Sequence, residues 1–282
     1  MSMSSVKQVV EAMPASEGAG VRIYRAIGTP ALQSLDPFLM LDFFGSDRAD
    51  DYLAGFPDHP HRGFITITYM LDGRMRHRDS MGNEGVLQPG DVQWMKAASG
   101  VIHSEMPEQQ DGLMRGFQLW LNLPASEKMS DPEYRDIASE TIPEATQSGV
   151  AARVIAGSYA GTRGVIVDPF TDLLYLDLDF ELNATTVIEN LEQRNAFVFV
   201  YEGRLSVDGE VVAERQLATL DTARCQLVAS EADTKAIVVA GKPLEEPVAK
   251  YGPFVMNYEG EIRKAMLDFQ QGQLVRKRAS NN

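Results

Sequence analysis

The chain has 282 residues, 44% of them hydrophobic, with a formal net charge of −14, four histidines and a single cysteine, Cys225. That length accommodates two modest domains, each with its own core, and the acidic balance repels phosphate backbones, which argues against direct nucleic-acid binding. One cysteine excludes an intramolecular disulfide and any thiolate metal cluster; no stretch reaches membrane-spanning length, and polar residues interrupt 1–18 too often for a secretory signal, so the cytoplasm is the expected compartment, and the acidic charge without a long apolar run fits a monomer.

From residue 21 the pattern is one of short strands punctuated by turn residues. Residues 21–25 alternate, 38–44 form an apolar run broken by Asp42, and 64–70 are rich in β-branched and aromatic side chains. Asp72-Gly73 predicts a tight turn into a strand at 74–78. Gly82-Asn83, Pro89-Gly90-Asp91 and Ser99-Gly100 divide the next pieces, and 115–123 supplies a strong closing strand. Short strands at near-regular spacing predict an all-β sandwich or small barrel rather than alternating α/β units.

Between 124 and 148 the apolar alternation stops, marking a linker in which Ser130-Asp131-Pro132-Glu133 predicts a single capped helical turn. Strands return at 152–156, 164–167, 173–180, 196–201, 205–212, 226–228 and 236–239. Glu202-Gly203-Arg204-Leu205 echoes Asp72-Gly73-Arg74-Met75, a weak internal duplication. Aligning the two glycines sets Glu189 opposite His59 and Leu191 opposite His61, and the second half contains no histidine, so its barrel is expected to be metal-free. Over 257–271 the period lengthens: Ile262, Ala265, Met266 and Phe269 form one stripe, Asn257 is the expected cap and Gly272 the stop, predicting an amphipathic helix docked on a sheet. Arg276-Lys277-Arg278 reads as a solvated terminus.

All four histidines lie within residues 56–105. Side chains two apart on a strand share a face, so His59 pairs with His61 and His103 with Glu105. Two such strands would aim three imidazoles and one carboxylate at a common point, which is a metal site. With no soft sulfur, the set suits Fe(II), Mn(II), Co(II), Ni(II), Cu(II) or Zn(II); it would close a tetrahedral structural zinc site, or leave an octahedral ion two open positions. His77 lies among Arg74, Arg76 and Arg78, where a solvated face is expected.

Four segments together resemble the pirin family: Phe56-Pro57-Asp58-His59-Pro60-His61-Arg62-Gly63-Phe64, Gly73-Arg74-Met75-Arg76-His77-Arg78-Asp79-Ser80, Gly90-Asp91-Val92-Gln93-Trp94-Met95 and His103-Ser104-Glu105-Met106-Pro107. The resemblance extends from Phe38 to Asn257, nearly the whole chain. It implies a bicupin: a metal-binding cupin barrel at 1–135 and a metal-free one at 136–282, with the C-terminal helix docked on the barrels. It implies Fe(II) held by His59, His61, His103 and Glu105, and cleavage of a flavonol such as quercetin by dioxygen with release of carbon monoxide, Glu105 accepting the substrate's proton. It places Phe56 and Gln118 against the substrate; Phe43, Trp94 and Met95 are further candidates for the wall, equally suited to the core. It also implies an alternative, a metal-dependent regulator that binds a protein partner. The chain departs from the family in carrying Ile65 where pirins usually have Glu.

Overall fold

A computed structural model describes residues 5–276; positions 277 and 278 of the expected solvated tail lie outside the described residues. The chain divides into two units, Pro14–Arg25 with Phe38–Ser139 and Leu244–Asn282, and Met1–Met13 with Ala26–Pro37 and Glu140–Pro243. No described helix is long and apolar enough to cross a membrane.

In the unit that holds the histidines, seven strands form one sheet in the order Glu133–Ile137, Val92–Lys96, Phe64–Asp72, Met114–Asn122, Phe38–Ser46, Val21–Ile27, Met13–Glu17. A second sheet of four runs Phe56–His61, Val101–Pro107, Met75–Asp79, Glu84–Leu87. Antiparallel pairing sets Gln118 against both Thr68 and Asp42, and Trp120 against Thr66 and Met40. Because the side-chain period is two, these residues share one face of the large sheet, while Leu41, Phe43, Ile67, Tyr69, Phe117 and Leu119 share the other. The hydroxyl of Thr68 reaches Glu105 of the small sheet, so the first face looks into the space between the two sheets.

The predicted turn at 130–133 is absent. Glu133–Ile137 is instead an edge strand on Val92–Lys96, in register from Glu133 with Lys96 to Ile137 with Val92. Its Arg135 guanidinium lies 4.6 Å from the centroid of the Trp94 ring.

The final helix runs Glu259–Gln270, one residue later than the expected cap. Glu261 accepts the backbone N–H groups of both Tyr258 and Asn257, closing the helix start, while the Asn257 amide is occupied by Glu246 and Pro247. Ile262 and Ala265 pack with Phe254, Met256 and Leu274, as the stripe predicts, and Met266 is partly buried against them. Phe269 stays 41% exposed and its turn of the helix buries Asp268 instead. The domain division at 135/136 therefore does not describe the ends of the chain: this helix belongs with the first barrel, whose strand connection it contacts through Asp268.

The other unit repeats the plan. Its seven-stranded sheet runs Val6–Glu11, Gln216–Leu220, Asn195–Glu202, Thr234–Gly241, Leu174–Phe180, Val150–Ala156, Glu144–Gln147, and its four-stranded sheet Thr185–Ile188, Cys225–Ala229, Arg204–Val207, Glu210–Ala213. The N-terminal strand Val6–Glu11 is an edge of this second barrel, which the expected boundary had assigned to the first. The stretch 205–212 is a hairpin rather than one strand, turning at Asp208-Gly209 with both φ positive, and at 164–167 only Ile166 forms a bridge. Leu176, Val198, Val200, Leu205, Val207 and Leu227 fill the interior as a continuous apolar core that includes Leu191.

Candidate metal centre

The strand Phe56–His61 pairs antiparallel with Val101–Pro107, His103 standing opposite His59. Between His103 and Glu105 the register shifts, so the pairing resumes at Glu105 with Phe56. The three rings of His59, His61 and His103 meet with centroids 4.3 to 4.8 Å apart, and their candidate ligand atoms lie within 4.8 Å of one another.

The donor chemistry fits a metal. His59 Nδ1 donates to the carbonyl of Pro57 at 2.8 Å, leaving its Nε2 unprotonated and within hydrogen-bond distance of His61 Nε2 at 3.1 Å. His103 Nε2 is buried without a hydrogen-bond partner. Burial, then the neighbouring imidazoles, push His61 and His103 well below the ordinary histidine range, so both rings are neutral at pH 7, the form a metal would require of them. Such an orphaned, neutral nitrogen costs stability unless an ion occupies its lone pair.

Glu105 is 95% buried on the same cavity but stands outside the three-histidine cluster, held by the Thr68 hydroxyl at 3.1 Å. Thr68 also lies 2.5 Å from Oε1 of Gln118. A hydroxyl carries one proton, so for Thr68 to donate to Glu105 the Gln118 amide must turn its nitrogen toward Thr68.

The cavity measures about 600 Å³, and Met40, Phe44, Phe56, Gln118 and Trp120 supply much of its wall. Its lining includes an ion pair: Arg25 grips Asp42 through two bonds of 2.7 Å and reaches Glu17 at 2.8 Å. Burial pushes the Asp42 carboxyl above its usual range, against the pull of Arg25. Lys250 rests with its ammonium 5.1 Å from the Trp120 ring centroid, and burial followed by the charge of Arg25 lowers its pKa.

Of the residues proposed for the wall, Phe56 and Gln118 line the cavity, whereas Phe43, Trp94 and Met95 do not. Phe43 projects from the opposite face of the large sheet, its ring 5.1 Å from Phe117. Trp94 shares that opposite face, in register with Ile67, and Met95, though level with Thr66, packs among Ala97 and Val101. Ile65 also faces away from Thr68 by the same alternation, 1% exposed and opposite Leu121, so position 65 does not reach the cavity. Sequence reading missed Met40, Asp42, Phe44, Thr68, Trp120 and Lys250; strict alternation about Gln118 and its cross-strand partners marks the first five.

His77 corrects another expectation. It is fully buried, because Met75, His77 and Asp79 point inward while Arg74, Arg76 and Arg78 turn to solvent; the alternation was present in the sequence beneath the run of charge. Its ring stacks on Tyr134, 4.7 Å between centroids and 24° from parallel.

Two features hold the His59–His61 strand in place. Gly63 has φ of +94°, and a Cβ there would come within 1.9 Å of the Val255 carbonyl, so only glycine permits this turn. Buried Lys128 donates to the carbonyls of Gly63 at 2.7 Å and Val255 at 3.2 Å and to Asn122 at 2.6 Å, and burial lowers its pKa to about 8.

Residues 20–121 match the Pirin family and residues 175–275 the Pirin C-terminal cupin domain. The chain is 50% identical over 269 residues to a Pseudomonas aeruginosa protein named "Putative quercetin 2,3-dioxygenase", covering 93% of this chain and 94% of that one. A crystal structure of quercetin 2,3-dioxygenase from Acinetobacter baumannii superposes with a TM-score of 0.88 at 34% identity, over 97% of this chain and 99% of that one. The bacterial pirin of Escherichia coli in complex with nickel(II) shares the fold, with a TM-score of 0.66 at 19% identity over 84% of this chain and 98% of that one. With two cupin domains matched in order along its length, the chain belongs to the pirin family.

Proposed function

We propose that this pirin is a dioxygenase that opens the central ring of a flavonol such as quercetin, using Fe(II) held by His59, His61, His103 and Glu105. The observation that carries this reading is the convergence of three imidazoles, two of them with an orphaned buried nitrogen, beside a cavity of about 600 Å³ that His59, His61 and Glu105 line, ample for a flavonol. The same ligand set accepts Zn(II), Mn(II), Co(II), Ni(II) or Cu(II).

When bound, the ion supplies Lewis acidity and open coordination positions for a hydroxylated substrate and dioxygen. The chain's own groups do the rest. Glu105 accepts the proton of the 3-hydroxyl, and Thr68 and Gln118 fix the orientation of its carboxylate. Met40, Phe44, Phe56 and Trp120 flank the planar rings and exclude water, while Lys250 and the Arg25–Asp42 pair face the substrate's polar edge. Carbon monoxide leaves as the heterocycle opens.

Dioxygen uptake with quercetin tests the reading. Protein reconstituted anaerobically with Fe(II) is expected to turn over, and the metal-stripped form and His103→Ala are not. Glu105→Gln that retains metal and full turnover would remove the carboxylate from the mechanism. Stoichiometric iron binding without turnover would shift the assignment to a metal-dependent regulator that binds a protein partner.

A further inference from the structure

Behind His103, away from the cavity, a second pair of side chains continues the line of donors and acceptors. His77 Nδ1 lies 3.4 Å from His103 Nδ1, and His77 Nε2 lies 3.4 Å from Asp79 Oδ2. All three groups are buried, and the strands Met75–Asp79 and Val101–Pro107 pair so that His103 is level with Asp79 and Glu105 with His77. Both ring nitrogens of His77 thus have a partner, one toward His103 and one toward Asp79.

The assignment follows from the far end. Asp79 accepts from the backbone N–H groups of Met81 at 2.8 Å and Asn83 at 3.0 Å and from the Asn83 amide at 2.8 Å, so every other neighbour is a donor and the group acts as a carboxylate. His77 Nε2 must then carry the proton it gives to Asp79, which leaves His77 Nδ1 as a lone pair. That lone pair can only accept, so His103 carries its proton on Nδ1 and presents an unprotonated Nε2, the buried atom left without a partner in the three-histidine cluster. Tyr134 stacks on the His77 ring and is itself held by Asp136 at 2.6 Å and Gln93 at 3.2 Å, which keeps the ring from rotating out of line.

We infer that His77 and Asp79 form a positioning relay, carboxylate to imidazole to imidazole, that fixes His103 in the tautomer and orientation required of a metal ligand and makes it a stronger donor. The inference rests on His103 being a ligand. A carboxylate behind a ligating histidine orients the ring and raises its basicity; here a second imidazole carries that influence one residue further. Increased donation favours the more highly charged ion, so the relay lowers the Fe(III)/Fe(II) potential and resists loss of the metal.

The test uses full-length protein reconstituted anaerobically with Fe(II), read by chelator competition for affinity and by spectroelectrochemistry for the midpoint potential. His77→Phe keeps a ring against Tyr134 but offers no acceptor, and is expected to weaken Fe(II) binding about 10–100-fold. His77→Gln restores an acceptor carbonyl and is expected to recover most of that loss, which a merely structural role would not do. Asp79→Asn is expected to raise the midpoint potential with a smaller loss of affinity, and it carries the test if His77→Phe fails to fold. Wild-type affinity in His77→Phe, or an unchanged potential in Asp79→Asn, overturns the relay while leaving the metal site standing. Failure of the wild-type protein itself to bind Fe(II) overturns the metal assignment and the relay with it.

Discussion

Arg62 donates from Nη1 to Asp268 Oδ2 at 2.8 Å across 206 residues of sequence, with side chains only 1% and 4% exposed. Its Nε reaches the Ser99 carbonyl at 2.6 Å and its Nη2 the Leu274 carbonyl at 3.3 Å, so one guanidinium next to His61 in the chain ties the histidine strand, the loop before His103 and the end of the C-terminal helix. Lys264 also contacts Asp268, and the backbone of Arg62 exchanges hydrogen bonds with Pro253 and Val255. The helix thus braces the strand that carries His59 and His61.

Asp268→Asn keeps an acceptor near Arg62 but leaves its charge buried and uncompensated. We expect a loss of about 3 kcal/mol, the lower end for breaking a buried pair, because the amide oxygen can still accept. Urea unfolding with an unchanged m-value would measure it, and a loss below about 0.5 kcal/mol would mean that water and the Ser99 and Leu274 carbonyls suffice to settle the guanidinium.

Thr68→Val removes the hydroxyl that holds Glu105 while preserving volume. Turnover with Fe(II) is expected to fall about 10–100-fold, with the three histidines still binding the ion. Steady-state oxygen uptake set beside metal content separates the two effects; an equal fall in both would make Thr68 a structural residue of the site.

Phe43→Ala discriminates between the two faces of the large sheet. Since Phe43 packs against Phe117 and not the cavity, the variant is expected to lose about 3–5 kcal/mol of stability while the KM for a flavonol stays within about twofold. A large rise in KM with little change in stability would return Phe43 to the cavity wall.

Acid should destabilise the metal-free protein before it touches the carboxylates. His61 and His103 have folded-state pKa values depressed by burial, so between the depressed values and about 6.5 the unfolded chain binds protons that the folded one refuses. Stability is fully present above about pH 6.5 and declines as pH falls below it, by about 1.4 kcal/mol per pH unit for each histidine. Urea midpoints at pH 7.5 and 5.5 measure the slope. A His61→Asn, His103→Gln double variant should flatten it, and an equal slope in the double variant would place the titration elsewhere.

The strands and the two histidine-bearing pairs were legible in the sequence because the signals behind them are local. Alternation along 64–70, the Asp72-Gly73 turn and the His-x-His and His-x-Glu spacings act within a few residues, and the strands Phe64–Asp72, Phe56–His61 and Val101–Pro107 carry them. The stripe of Ile262 and Ala265 was legible for the same reason. Which face of a strand meets the cavity is a different matter. Asp42 and Phe43 are neighbours in sequence, and composition favours the aromatic for a ligand wall; only the opposing sheet, through Thr68 and Glu105, decides that the acidic residue points inward, with Arg25 as its partner. His77 was misread because three arginines dominate its strand, and their exposure leaves the alternate face free to bury an imidazole against Tyr134, a residue 57 positions away whose strand the sequence pattern did not reveal. The terminal segments were the least predictable of all. Val6–Glu11 completes an edge at Gln216–Leu220 and Asp268 neutralises Arg62, pairings whose energy comes from groups more than 200 residues apart and leaves no local pattern to read.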